Sequence, residues 1–249
     1  MNPDDRKPVR NTIILIAGIL VLWQFAYAIV GDVAMRSPLQ TFRFTFQMVQ
    51  TESFFTHLIN SIQAFAMALA IAVGAGLVIG FSLGIHKLSG QAWEPMLVAL
   101  YSIPKITLYP ILLLTFGIGM SAKVAFGAIH GIIPIALFTL SAVRGIRPIL
   151  LKTGHILKLS PLAMITSIMF PAAVPEIFTG VRVGFSLTMI GTVLGEMFAA
   201  QHGLGYMLMN AIGLYNIDVI MSVTFMLVVF ASVVNGALLA IDHRLHHAA

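Results

Sequence analysis

Long apolar runs separated by short polar segments make up most of the chain. The clearest runs cover residues 12–30, 58–85, 122–143, 172–197 and 217–241, and another, 95–117, is interrupted by Pro104 and Pro110. A helix needs about 20 predominantly apolar residues to cross the hydrocarbon core of a bilayer. The pattern therefore predicts an all-α fold, a polytopic transmembrane helical bundle of about six spans.

The composition supports this assignment. Hydrophobic residues make up 59% of the chain and charged residues 9%, with a mean hydropathy of +0.97. A soluble domain carries about 25% charged residues, so we expect the surplus apolar surface to face lipid. The length of 249 residues suits one compact membrane domain. The chain has no cysteine, which excludes disulfides, thiolate metal sites and a cysteine nucleophile.

Four parts are predicted along the chain: a cytoplasmic N-terminus (1–11), a peripheral transmembrane anchor helix (12–30), a core (58–241) and a cytoplasmic tail (242–249). Ala26-Tyr27-Ala28 resembles a signal-peptidase site. The run before it is long for a signal peptide and the rest of the chain is itself membranous, so we expect an uncleaved anchor helix.

Basic residues are distributed unevenly between the two sides that six spans would create. The side of both termini has Arg6, Lys7, Arg10, Lys87, Arg144, Arg147, Lys152, Lys158 and Arg244, and the other side has Arg36, Arg43 and Lys123. Basic residues in short loops mark the cytoplasm, so we predict a multi-pass membrane protein with both termini and the 144–171 loop on the cytoplasmic side. Because these residues flank apolar runs instead of forming a basic stripe, no nucleic-acid partner is expected.

Glycines recur at helical spacing in two of the predicted spans. They are Gly76, Gly80 and Gly84 in the second span, and Gly180, Gly184, Gly191 and Gly195 in the fifth. Small residues four positions apart let helix backbones approach closely in lipid. These glycines pack helices within one subunit or, alternatively, form an interface between subunits. In either case we expect spans two and five to be central and span one to be peripheral.

No catalytic motif is present, including H-E-x-x-H, G-x-S-x-G and the nucleotide-binding G-x-x-x-x-G-K-[ST]. We therefore expect neither an enzyme nor a cofactor site. If a nucleotide powers this protein, the hydrolysing subunit is a separate chain. His243, His246 and His247 lie in a short solvated tail, and no metal site is expected there.

Three ionisable residues within the spans are candidates for a translocation pathway, because charges in the membrane are costly. Lys105, between Pro104 and Pro110, either lines a pore or extends to the membrane interface. Arg182 and Glu196 are fourteen residues apart, about 21 Å along a helix axis, and cannot pair directly. Each either bonds to a neighbouring helix near one membrane boundary or lies on the pathway.

The basic loop 144–171 contains two helix-start signals, Arg147-Pro148 and Ser160-Pro161, with proline at the first helical position and serine as N-cap. Two short helices in a tight elbow exceed what a connection needs. The loop is therefore predicted to be a docking surface for a soluble partner.

Three patches, in order along the chain, resemble the permease subunits of bacterial ATP-binding-cassette (ABC) importers of the nitrate/sulfonate/taurine type. The first patch is Ile103-Pro104-Lys105, Pro110 and Phe116-Gly117-Ile118-Gly119. The second is Phe170-Pro171-Ala172-Ala173-Val174-Pro175 with Gly180-Val181-Arg182. The third is Gly195-Glu196-Met197 with Gly203-Leu204-Gly205-Tyr206. The resemblance covers residues 58–240 and implies the type I importer permease (MetI-like) architecture, in a bacterial inner membrane.

The resemblance also identifies loop 144–171 as the ATPase-coupling loop, in which the family has E-A-A-x-x-x-G. Counting back from Pro171 puts Lys152, Thr153 and Gly154 at the E-A-A positions and Lys158 at the glycine position, so this chain departs from the motif at all four. The candidate coupling residues are Lys152, Thr153, Gly154, His155, Lys158, Ser160 and Pro161.

The resemblance implies a complex of two permeases, two cytosolic ABC ATPase subunits and an extracytoplasmic solute-binding protein. This complex would import a small anion such as a sulfonate, taurine or nitrate. The two permeases form a homodimer or, alternatively, a heterodimer with a more typical permease. An ion-coupled secondary transporter and a non-transporting membrane scaffold are the alternative functions.

Overall fold

The computed structural model describes residues 6–248, with the side chains of residues 10–246 apart from Lys87 and Ala199. Its helices are α1 (Arg6–Val30), α2 (Pro38–Met48), α3 (Glu52–Ile85), α4 (Lys87–Ser102), α5 (Tyr109–Phe116), α6 (Met120–Arg144), α7 (Pro148–Ile156), α8 (Pro161–Met164), α9 (Phe170–Ala199), α10 (Leu204–Gly213) and α11 (Ile217–Ala248). Residues 6–248 contain no β-strand. The all-α membrane architecture expected from the apolar pattern is confirmed.

Five of these helices are long and apolar enough to cross a membrane: α1, α3, α6, α9 (together with α8) and α11. The predicted span 95–117 is instead a broken pair, in which α4 and the helical segment Lys105–Phe116 are bent by 86°. Ile103, before Pro104, has an extended backbone (φ −67°, ψ 132°), because a residue that precedes proline avoids the helical conformation. The helix therefore ends at this proline.

Helix α6 lies at the centre of the bundle, between α3 and α9. The glycines of α3 face it: a Cβ at Gly76, Gly80 or Gly84 would lie 2.7, 2.5 or 2.8 Å from the Cβ of Ile135, Thr139 or Val143, respectively. Because both series of residue numbers rise together, α3 and α6 run parallel. No residue larger than glycine fits at these crossings without displacing α6.

The glycines of α9 also face α6, with the opposite order. Gly180, Gly184, Gly191 and Gly195 approach Phe138, Ile135, His130 and Lys123, respectively. Helices α6 and α9 are therefore antiparallel. Both glycine series serve contacts within one subunit.

The parallel arrangement of α3 and α6 decides how the broken pair is threaded. A re-entrant loop would return the chain to the side on which α3 ends, and α6 would then run antiparallel to α3. Since the two helices are parallel, the segment from α4 to α5 carries the chain across the membrane. The bundle therefore has six crossings, with both ends of the chain on one side.

Helix α1 is peripheral, and none of its apolar window is buried against the rest of the protein. It is held near its end, where the indole N–H of Trp23 donates to the carbonyl oxygen of Arg36 (3.0 Å). Arg36 in turn binds Asp218 in the first turn of α11, with Nε 2.6 Å from Oδ1. The exposed remainder of α1 is the kind of surface that faces lipid.

The close contact of α3 with α6 predicts a large difference between two alanine substitutions in α3. At Gly80 an added Cβ meets the backbone oxygen of Ala136 at 2.6 Å, whereas nothing lies within 4 Å at Gly74. We expect Gly80→Ala to destabilise the detergent-solubilised protein by about 2 kcal/mol through overpacking. Gly74→Ala is expected to be neutral or slightly stabilising because alanine favours helix.

The stability of both variants can be measured by thermal unfolding, with tryptophan fluorescence as the signal. Equal losses at the two positions would contradict this packing scheme and would assign Gly74 a contact outside the single subunit.

Candidate functional site

A buried carboxylate joins three spanning helices on one side of the bundle. Glu196 of α9 has no exposed surface, and the hydroxyl of Ser61 in α3 lies 2.9 and 2.7 Å from its two carboxylate oxygens. Lys123 of α6 approaches Oε1 at 3.4 Å. The N–H of Gly205 donates to Oε2 at 3.0 Å, and that of Leu204 donates to the Ser61 hydroxyl at 2.7 Å. The charge is thus compensated, as burial of a carboxylate requires.

Lys123 is the member of this cluster that the sequence pattern misses. The pattern assigns it to the outer loops because it lies at the edge of an apolar run. The structure places it in the first turn of α6, only 3% exposed, where Nζ also donates to the carbonyl of His202 (3.2 Å). Its inclusion in the apolar run that starts at residue 122 is a weak signal of burial. Its partner, however, lies 73 residues further along the chain, beyond any local pattern.

The hairpin between α9 and α10 covers this cluster through two glycines. Gly203 has a φ of +128°, and its N–H donates to Nδ1 of His57 (3.2 Å). A Cβ at Gly203 would collide with the carboxyl group of Glu196, and one at Gly205 would lie 2.8 Å from the Glu196 Cβ. The spacing of these glycines after Glu196 therefore reflects the close approach of the hairpin backbone to the carboxylate.

The geometry makes Glu196 a connection between α3, α6, α9 and α10. Because it has no exposed surface, a solute cannot reach its carboxylate in this conformation of a single subunit.

Arg182 lies on the same helix as Glu196 but binds a different neighbour. Its Nε is 3.5 Å from a carboxylate oxygen of Asp242 in α11, and Thr179 donates to the other oxygen at 2.8 Å. One turn further along α9, the Ser186 hydroxyl donates to Asn235 Oδ1 at 2.8 Å. These contacts hold α11 against α9. Arg182 lies near the middle of α9 and Glu196 near its end, so the two residues bind different neighbours.

Lys105 lies at the 86° break, where α4 has ended. Its Nζ donates to the carbonyl oxygen of Tyr101 (3.0 Å) and lies 5.2 Å from the centre of the Tyr101 ring. A cation at a helix C-terminus satisfies carbonyl groups that have no helical partner.

The break lies beside the middle of α6. Tyr109, four residues after Lys105, packs edge to face on Phe126 of α6 (4.8 Å between ring centres), and Phe126 packs on His130 (4.6 Å). The Tyr109 hydroxyl donates to the carbonyl of Gly195 in α9 (2.6 Å). Lys105 is therefore a half-buried cation well inside the membrane-spanning part of the bundle.

The loop between α6 and α9 is an ordered elbow. Helix α7 ends in two hydrogen bonds, from the N–H of Lys158 to the carbonyl of His155 (3.0 Å) and from that of Leu159 to Gly154 (3.1 Å). This is a Schellman ending, which places its capping residue in the left-handed region. That residue is Lys158, with φ +52°, at the position where the motif has glycine.

Helix α8 starts as the sequence pattern predicts. The Ser160 hydroxyl accepts the N–H of Ala163 (3.3 Å), and Pro161 occupies the first turn. Gly154 is buried: a Cβ there would lie 2.6 Å from Met164 and 2.8 Å from Ile168. Glycine at the third E-A-A position thus lets α7 pack closely on the segment after α8, while Lys152, Thr153 and His155 are exposed.

The elbow carries exposed apolar side chains around its tip. Ile156, Leu157 and Leu162 are 80%, 64% and 71% exposed, and the exposed cations Lys152 and Lys158 lie close to them in sequence. Leu162 lies at the start of the candidate span Pro161–Phe198, and Ile156 and Leu157 lie before it. An exposed apolar patch with a charged rim is typical of a protein docking site. We call Ile156, Leu157 and Leu162 the elbow patch.

The six crossings, the elbow and the buried carboxylate together define a polytopic transport permease. Residues 72–247 match the model of the family described as "Binding-protein-dependent transport system inner membrane component", and the chain belongs to this family. The resemblance in the signature patches is thereby confirmed. Family membership makes the chain a non-enzymatic inner-membrane component of a binding-protein-dependent transport system.

Related sequences include three transport permeases of the same type. The nitrate import permease NrtB of Synechocystis is 30% identical over 86% of this chain and 80% of its own length. A permease assigned to aliphatic sulfonate transport, SsuC of Bacillus subtilis, is 28% identical over 80% and 73%. The taurine permease TauC of Escherichia coli is 26% identical over 76% and 69%.

Solved structures share the fold at low sequence identity. A chain of the MetNI methionine ABC transporter in an inward-facing conformation matches 78% of this chain and 99% of its own length, with a TM-score of 0.62 and 18% identity. A chain of an amino acid ABC transporter matches 86% and 100%, with a TM-score of 0.60 and 13% identity. The MetI-like architecture is thereby confirmed.

The buried cluster predicts a strong dependence of stability on charge pairing. Lys123→Met removes the cation that faces Glu196, and we expect a loss of about 3 kcal/mol or more because a buried charge is left uncompensated. The double variant Lys123→Met/Glu196→Gln removes both charges and is expected to recover most of that loss. Thermal unfolding in detergent, with Lys152→Met as an exposed-lysine control, measures the difference. A double variant no more stable than Lys123→Met would contradict the pairing.

Proposed function

We propose that this chain is the permease subunit of an ATP-driven importer for a small anionic solute such as a sulfonate, taurine or nitrate. The observation that carries the proposal is the elbow of loop 144–171, an ordered pair of helices with an exposed apolar patch between two central spans. The relatives that are nitrate, sulfonate and taurine permeases support the class of solute. In this reading the chain does no covalent chemistry and relies on a separate ATPase.

The proposed orientation puts both termini and the elbow in the cytoplasm. Six crossings place these parts on one side of the membrane, and most of the basic residues of the chain's loops and ends lie on that side. The hairpin after Glu196 and the segment that contains α2 then lie outside, where an extracytoplasmic solute-binding protein would dock.

The elbow is directly connected to the moving core. Helix α8, the π-helical turn Ile165–Met169 and α9 follow one another without a break. A pull on the elbow by a closing ATPase dimer would therefore act along α9. Because Glu196 ties α9 to α3 and α6, we propose that these helices move as one block between inward-open and outward-open states.

The departures from the E-A-A motif preserve the shape of the elbow but change its charge. Lys158 adopts the left-handed conformation that glycine adopts easily, and Gly154 allows a close contact with Met164 and Ile168 that a Cβ would obstruct. Lys152 places a cation where the motif has glutamate. We propose that the elbow still couples to ATP hydrolysis, through an ATPase whose groove accepts this cation, in a homodimer of this permease.

Of the predicted pathway residues, Lys105 is the one that we propose for solute passage. Arg182 and Glu196 have carboxylate or cation partners within the subunit, whereas the described contacts of Lys105 are the carbonyl and the ring of Tyr101, neither of which is a counter-ion. A half-buried cation at the broken helix suits transient attraction of an anion.

The first test concerns docking. In pull-downs from membranes, Leu157→Asp in the elbow patch should lose the ATPase because a charge would be buried without a partner in the interface. Lys152→Glu/Lys158→Gly, which restores two positions of the family motif, is expected to hold a generic ATPase of the family at least as tightly as wild type.

Loss of binding in Lys152→Glu/Lys158→Gly would contradict that expectation and show that the departures are adapted to one particular partner. If wild type captures neither an ATPase nor a binding protein, the chain is a scaffold. Uptake in proteoliposomes that needs an ion gradient and no ATPase would identify a secondary transporter.

The second test concerns the pathway. Lys105→Gln should lower ATP-dependent uptake of taurine, an alkanesulfonate or nitrate by about tenfold, because one favourable interaction of about 1.4 kcal/mol with the anion is lost. Lys105→Arg keeps the charge and should retain most uptake. Both variants should match wild type in thermal unfolding and ATPase binding. Unchanged uptake in Lys105→Gln would remove Lys105 from the pathway.

A further inference from the structure

Helix α2 has a fixed helical start that does not depend on its surroundings. Ser37 and Gln40 form a capping box, in which the Gln40 N–H donates to the Ser37 hydroxyl (3.2 Å) and the Ser37 N–H donates to the Gln40 side-chain oxygen (2.8 Å). Such a box satisfies two backbone donors that a helix start leaves free. The orientation of the side chains around α2 is therefore well defined.

One face of α2 is buried against the core. Thr41 and Met48 are 1% and 5% exposed. Met48 belongs to a buried cluster with Phe54 at the start of α3 and Val223 of α11, and Phe44 packs on this cluster. Helix α2 is thus attached to the extracytoplasmic ends of two spans.

The rest of α2 divides into two exposed faces of different character. Leu39, Phe42 and Phe46 are 80%, 61% and 68% exposed, and their spacing of three and four residues puts them on one side of the helix. Arg43 and Gln47 are also exposed and lie on the neighbouring side. A helix on a water-exposed surface normally has one apolar face, which is buried. Here a second apolar face is exposed, next to a polar one.

The surrounding contacts place α2 at the boundary of the bilayer. Arg36, two residues before α2, binds Asp218, which starts the spanning part of α11. The same segment accepts the hydrogen bond from Trp23 near the end of α1. Asp218 thus puts the start of α11 at the level of Arg36, whereas α1 continues past Trp23 to Val30. Helix α2 therefore lies close to one boundary of the spans, which is the zone of the lipid headgroups.

The exposed apolar face of α2 is continuous with the lipid-facing surface of the spans. The Phe225 ring of α11 contacts both Trp23 of α1 (6.1 Å between ring centres) and Phe42 of α2 (5.2 Å). Val33, between α1 and α2, is 88% exposed.

We propose that α2 is an interfacial helix that lies in the plane of the membrane surface. Leu39, Phe42 and Phe46 insert into the boundary between headgroups and acyl chains, Arg43 lies at the level of the lipid phosphates, and Gln47 faces water. Apolar burial combined with a cationic side is the way in which helices bind this zone. Lipid is favoured over a docked protein because the face continues a surface that already faces acyl chains.

This inference depends on the spanning assignment and not on the transport function. Through its buried face, α2 links the ends of α3 and α11 to the membrane surface.

The absence of cysteine from the chain allows a direct test with single-cysteine variants in lipid nanodiscs. Leu39→Cys and Phe46→Cys probe the apolar face, and Arg43→Cys and Gln47→Cys are matched controls on the polar side of the same helix. We expect a charged maleimide to label the first two about tenfold more slowly than Gln47→Cys. A fluorophore at Phe46→Cys should be quenched by nitroxide-labelled lipid, and one at Gln47→Cys should not.

Equal labelling rates at all four positions in nanodiscs would overturn the proposal. Slow labelling of the apolar face without quenching by lipid would also overturn it, and would assign the face to a protein partner. Protection that disappears when each nanodisc holds a single copy would identify that partner as a second copy of the chain. Circular dichroism and thermal unfolding of each variant establish that the labelled protein is folded.

Discussion

The close approach of α6 to α3 and α9 is the contact on which the rest of the structure depends. In lipid, apolar side chains gain little by leaving the solvent, so spanning helices associate through packing and internal hydrogen bonds. The glycines of α3 and α9 face α6, and Gly127 and Gly131 of α6 in turn face Ala68 and Ala72 of α3. The broken pair, the elbow and the outer helices are all attached to this block of three helices.

The buried Glu196 carboxylate complements this packing at one end of the block. Contacts between small residues alone hold two helices together but specify weakly how far one is shifted along the other. The Glu196 carboxylate contacts Ser61, Lys123 and Gly205 at the same time, and these contacts fix the relative depth of their helices. Arg182 and Asp242 make the corresponding connection between α9 and α11. The ionisable groups of α9 therefore fix neighbouring helices at two levels, one near its middle and one near its end.

In the elbow, Lys158 combines a backbone conformation that glycine usually adopts with a charged side chain. Lys158 accepts a left-handed conformation that costs a non-glycine residue about 1–2 kcal/mol, and the two hydrogen bonds of the Schellman ending hold it there. The elbow thus presents a cation at a position where the motif has glycine, and partner choice is the property that such a change of charge alters most directly.

The sequence by itself determined the membrane class, the approximate limits of the spans, the family and the starts of α7 and α8. These follow from apolar run length, from proline and N-cap chemistry, and from motif spacing, all of which are local. The tertiary structure decided that both glycine series face α6, that Lys123 is buried against Glu196 and that the broken pair crosses the membrane. It also revealed α2 and its second apolar face. Each of these depends on residues far apart in the chain meeting in space, and a one-dimensional pattern does not specify which helices become neighbours.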